Sequence, residues 1–129
     1  VSSNRRLSIV AAISGLYDFV VGALLLSIPS QVAGWFGSPP PSPVINANLN
    51  GMFLVAVATG YLLPYRDPQT HRGYLWVMGP LLKGGGTLIF VLDYLFRGSP
   101  KAFLLFAFCD GTLALVTLWA LTTDSSHRN

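Results

Sequence analysis

Glutamate does not occur in this chain of 129 residues, cysteine occurs once and histidine twice. A lone cysteine cannot pair within the chain, which excludes a disulfide scaffold. Cys109 has no histidine within its own apolar stretch to serve as a base, so it reads as a buried apolar side chain and not as a nucleophile. His71 and His127 both fall outside the apolar stretches, which excludes a haem held between two histidines there. No His-x-Glu, Cys-x-x-Cys or carboxylate cluster has metal-ligand spacing, so neither a metal nor a cofactor is expected. Charge is scarce as well. Charged residues make up 10% of the chain, against roughly 25% in soluble domains. The net charge of +3 is not gathered on one face, so nucleic acid is not an expected partner.

What is abundant is apolar surface: 52% of the residues are hydrophobic and the mean hydropathy is +0.55. A helix crosses a hydrocarbon core of about 30 Å with about 20 residues. Four stretches meet that requirement, over 7–28, 44–63, 73–96 and 100–121. Pro29 and Pro64 are expected to end the first two. The segment 29–43 reads as a loop whose Ser38-Pro39-Pro40-Pro41-Ser42-Pro43 run favours polyproline II. The connections before the third and fourth stretches are short, which forces sequential helices to be neighbours. The expected fold is an all-α membrane protein, a single antiparallel up-down bundle of four transmembrane helices with no room for a soluble domain. With the N-terminus inside, Arg5, Arg6, Arg66, Arg72 and Arg128 lie on the cytoplasmic side and only Arg97 and Lys101 on the other. That bias places both termini in the cytoplasm. The first stretch is expected to be a retained signal-anchor: it is long, contains Asp18, and lacks an Ala-x-Ala site near its end.

Ionisable groups at the bilayer centre cost several kcal/mol, from about 2.5 upward. Three lie near the middle of their stretches: Asp18 in the first, Lys83 in the third and Asp110 in the fourth. Small residues share their helix faces, which directs those faces toward other helices. Asp18 and Asp110 are therefore expected to flank Lys83, with Asn48 or Asn50 of the second stretch completing the hydrogen bonds. Such a cluster is a structural device that fixes helix register, a pocket whose groups exchange protons or bind a solute, or an interface with another subunit.

The third stretch also contains Gly79-Pro80 and then Lys83-Gly84-Gly85-Gly86. Pro80 removes a backbone donor and the glycines weaken the helix, so a helix break is expected over these residues. Irregular backbone at that depth belongs beside a cavity or against another helix. The lysine precedes the glycines and no Gly-x4-Gly-Lys-Ser/Thr pattern is present, which rejects a phosphate loop.

Asp18-Phe19-Val20-Val21-Gly22 and Lys83-Gly84-Gly85-Gly86, set in four stretches, resemble the DoxX-like group of small bacterial membrane proteins. That resemblance implies a four-helix membrane protein associated with redox or lipid-linked complexes, and it transfers no catalytic residue. The small multidrug-resistance transporters also have four spans, but they carry a Glu in the first and have no counterpart of Lys83. Three functional expectations follow. The first is a non-catalytic accessory subunit or lipid-contact module, whose partners are membrane lipids and other membrane subunits or further copies of itself. The second is a proton-coupled transporter or binding protein for a small lipophilic or cationic solute at the Asp18/Lys83/Asp110 cluster. The third is an enzyme acting on a lipid or quinone.

Overall fold

A computed structural model describes residues 2–123 of the chain, and over them it is all-helical. Arg128 and His127, used above for topology and metal chemistry, lie outside the described residues. Four continuous helical stretches, Ser3–Ser27, Ile45–Arg66, Arg72–Arg97 and Lys101–Thr122, are long and apolar enough to cross a membrane. Their ends lie within four residues of those of the apolar stretches. Helix α1 (Ser3–Ser27) begins at Ser3 because the Ser2 hydroxyl caps it, accepting from the Arg5 backbone N–H at 3.2 Å.

Two prolines behave differently from expectation. Pro29 does end α1, but it also opens a short helix, α2 (Pro29–Trp35), within what the sequence presents as a loop. A proline in the first helical position gives up only a donor that has no partner there, and its fixed φ suits the turn. Pro64 does not end the second stretch. Helix α3 (Ile45–Gly60) passes through Tyr61 into α4 (Leu62–Arg66), and Pro64 is buried in that last turn. The expected helix break is likewise corrected. From α5 (Arg72–Trp76) the chain enters a π-helical segment, Val77–Lys83, that contains Gly79 and Pro80, and leaves it as α6 (Gly84–Arg97). The wider turn gives the carbonyls around the proline ring more space and shifts the hydrogen-bond register, so the helix swells without parting. Gly84, Gly85 and Gly86 are ordinary α-helical residues. Gly98, at φ 69°, ends α6 in the left-handed region, and a 3-10 turn (Lys101–Phe103) leads into α7 (Leu104–Thr122).

The helices meet where side chains vanish. At the crossing of α1 and α3, a Cβ on Gly51 would lie 2.7 Å from the Gly22 carbonyl oxygen. A Cβ on Gly79 would lie 2.6 Å from Thr117 of α7. The main packing partners are α1 with α3 and α6 with α7; α7 also packs on the π segment and on α1. One end of the bundle is dense. Leu7, Val10, Ala11, Val57, Tyr61, Leu75, Ala120 and Leu121 form its core. Basic side chains rim this end: Arg6 lies 5.2 Å over the Trp119 ring and Arg72 donates to the Leu121 carbonyl at 3.0 Å. The other end is covered by α2 and the proline-rich segment, with Phe36 against Phe106 at 4.7 Å and Phe103 at 5.9 Å between ring centroids. Near that end Arg97 pairs with Asp93 at 3.2 Å, one helical turn away, and Ser99 donates to the same carboxylate.

Candidate functional site: a polar cluster at the end of an apolar cavity

Asp18 and Lys83 meet between α1 and the π segment. The Lys83 ammonium is 2.7 Å from Asp18 Oδ2, and the two residues are 2% and 3% exposed. Lys83 is the last residue of the π segment, so the widened turns immediately before it set the face on which it emerges. Its Nζ also donates to the Tyr61 hydroxyl at 3.2 Å and lies 5.0 Å from the centroid of that ring. An ammonium has three donors; these partners take two, and Lys83 also forms part of a cavity wall. Behind it, Tyr61 packs edge-on against Tyr74 at 5.1 Å, and the Tyr74 hydroxyl donates to the Val57 carbonyl.

The symmetrical arrangement of two carboxylates around one ammonium is not what forms. Among the described residues, Asp18 is the one carboxylate within ion-pair distance of Lys83. Asp110, on α7, lies beside the Tyr17 hydroxyl. Gly86 makes room for it, since a Cβ there would stand 3.3 Å from Asp110 Oδ2. Thr87, one residue on, donates to the Lys83 and Ala107 carbonyls at 2.9 and 3.2 Å and so ties α6 to α7 beside the site.

Asp18, Lys83, Asp110, Asn50, Tyr17 and Gly86 all line one cavity of about 440 Å³. That volume falls within the range of small-molecule sites, about 300–1,000 Å³. Its remaining walls are apolar, with Val21, Leu25, Leu54 and Leu82 beside the polar end and Phe90, Phe106, Phe103 and Phe36 leading away from it. Segment 38–41 of the proline-rich run reaches the far end. Asn48 is not part of this site. Its side-chain amide donates to the Leu25 and Leu26 carbonyls at 3.2 and 3.5 Å, serving the exposed carbonyls at the end of α1. Of the helix-break residues, Gly79 is buried against Thr117 and Pro80 lies within the π segment, and neither lines the cavity. Nothing lies within 4 Å of a Cβ placed on Gly85, and only Ala114, at 3.9 Å, is near one placed on Gly84.

Tyr17, Tyr61 and five phenylalanines, Phe53 of α3 among them, are site residues for which no expectation was drawn from the sequence. A signal for the tyrosines was present, because a hydroxyl inside an apolar helix must find a partner and the ionisable groups are the strongest ones nearby. The phenylalanines carry no such signal, since phenylalanine in these helices fits a lipid-facing position equally well. Among the described residues, no group of three or more His, Cys, Asp or Glu is placed to hold a metal ion.

Comparison with protein-family models, with curated proteins and with solved structures gave no match for this chain. The cavity offers a shape-defined apolar slot and, at one end, an ammonium, two carboxylates and a phenol. These groups can orient a single polar function of a ligand while the walls take up an apolar body.

Proposed function

We propose that this protein is an integral membrane protein that binds a small lipophilic solute in the cavity between its helices, anchoring the solute's polar group at Asp18, Lys83 and Asp110. The observation that carries this reading is the placement of Asp18, Lys83 and Asp110 on the wall of one cavity whose other walls are mainly apolar. A purely structural ion pair needs no cavity beside it, and Lys83 with Asp18 already satisfies that role. The reading as an accessory subunit or lipid-contact module explains the ion pair and leaves the cavity without a purpose.

Membrane insertion is supported by the outward faces. Ile13, Leu16, Leu49, Leu81, Ile89, Phe96, Phe108 and Leu115 are all more than half exposed. A soluble monomer rarely exposes contiguous apolar patches of more than a few hundred Å². In this reading the four long helices run antiparallel across a bacterial cytoplasmic membrane. The arginine-rimmed end faces the cytoplasm and the α2 end faces outward. The dense core around Leu7, Val57 and Leu121 then seals the cavity from the cytoplasm, while the polar cluster sits near mid-bilayer. Both segments that resemble DoxX-like proteins contribute to the cavity, through Asp18 and Val21 and through Lys83 and Gly86.

The test is gentle extraction followed by native mass spectrometry, with a thermal-shift panel of lipophilic amines, alcohols and carbonyl compounds. Wild-type protein is expected to retain a small molecule or to gain thermal stability with at least one class. Phe106→Trp, which fills the cavity, is expected to abolish that gain. A wild-type protein that carries nothing and responds to no class would refute the proposal.

A further inference from the structure

Resting on that reading, we infer that the cavity takes a compact lipophilic amine directly from the bilayer, sideways between α3 and α6, and holds its ammonium on Asp110.

The charge count selects the amine. Lys83 and Asp18 pair at 2.7 Å, whereas Asp110, beside the Tyr17 hydroxyl and near enough to feel the Lys83 charge, has no cation at ion-pair distance among the described residues. A cationic head supplies the missing partner, and an anionic head would meet two carboxylates for one ammonium. One helical turn from Asp110, Phe106 stacks with Phe90 at 5.6 Å and meets Phe36 in a tilted contact at 4.7 Å between centroids. Aromatic faces beside a carboxylate favour the alkyl groups of a substituted ammonium.

Packing selects the route. Helices α1 and α3 pack as one pair and α6 and α7 as another, while α3 and α6 flank the cavity without being main packing partners. Asn50 and Phe53 of α3 line the cavity and are nevertheless exposed, Phe53 by 51%, so they form a rim that opens to the side. The far end is stoppered by Phe36 against Phe103 and Phe106.

Depth selects a compact molecule. Asp110 stands nine residues into the helical stretch that starts at Lys101, which is about 13 Å at about 1.5 Å per residue. A phospholipid keeps its headgroup at the interface and cannot present it there, whereas a small amine dissolved among the acyl chains can reach that level.

The experiment uses the full chain in lipid nanodiscs with tritiated N,N-dimethyldodecylamine, followed by filtration binding, and with dodecanol as competitor. The amine is expected to bind saturably and dodecanol to compete about ten- to a hundred-fold more weakly, the worth of a hydrogen bond to a charged group. Asp110→Asn is expected to weaken amine binding by a similar factor. If that variant does not fold, the comparison of amine with dodecanol on wild-type protein decides alone. Asn50→Trp, which narrows the rim, is expected to slow association and dissociation together. Dodecanol competing as well as the amine itself would overturn the amine assignment and leave the proposed function standing. Unchanged rates in Asn50→Trp would overturn sideways entry. Binding of neither probe, together with a silent thermal-shift panel, would remove both the inference and the function on which it rests.

Discussion

Replacing Lys83 with methionine isolates the ion pair. The substitution keeps the length and most of the volume of the side chain, so packing against Tyr61 and Leu82 changes little. What it removes is the 2.7 Å contact to Asp18 and the 3.2 Å donation to Tyr61. Asp18 is 2% exposed, so its carboxylate is left without a counter-charge where little solvent can compensate it. Breaking a buried pair by deleting one partner costs about 3–5 kcal/mol. Deleting both is far cheaper, because the attraction between two buried charges largely offsets their desolvation and little is left to lose. Lys83→Met is therefore expected to destabilise the protein by about 3–5 kcal/mol, and Asp18→Asn with Lys83→Met to recover most of that loss. The assay is reversible unfolding of detergent-solubilised protein by sodium dodecyl sulfate, followed through helix content for the two single variants and the double variant. Additive losses across that cycle, or a Lys83→Met cost below about 1 kcal/mol, the level of an exposed pair, would refute the pairing of these two residues.

Gly51→Leu drives a side chain into a backbone oxygen 2.7 Å away, where neither helix has a flexible group to yield. It should cost about 1–3 kcal/mol or more by overpacking, read in the same unfolding assay. Gly85→Ala meets nothing within 4 Å, so it should be neutral or stabilising by up to about 1 kcal/mol through helix propensity. A destabilised Gly85→Ala would show that this face is in contact with another chain. At the arginine-rimmed end, Thr70 holds the Asp67 carboxyl below its ordinary value of 3.8, first through its hydroxyl at 2.6 Å and then through its backbone N–H at 3.3 Å. Because the folded-state value is the lower one, this turn gains stability above pH 3.8 and loses it as the pH falls through the depressed value. A carboxyl titration followed by NMR should show a midpoint below 3.8 that rises in Thr70→Val; an unmoved midpoint would assign the shift to another cause.

The sequence by itself determined the four long helices, because a run of about 20 apolar residues is a local property that needs no partner to be recognised, whereas the short α2 was not legible in it. It also singled out Asp18, Lys83 and Asp110, since an ionisable group in such a run stands out whatever surrounds it. The tertiary structure alone decided which of them pair. Lys83 lies at the end of seven π-helical residues, and the face on which it emerges depends on how Pro80 is accommodated, which composition does not encode. The same holds for Asn48, drawn to the carbonyls of Leu25 and Leu26, and for Asp110, left beside Tyr17. The cavity belongs to no segment at all. It exists because α1 packs on α3 and α6 on α7, while α3 and α6 remain apart at the level where the charged residues stand.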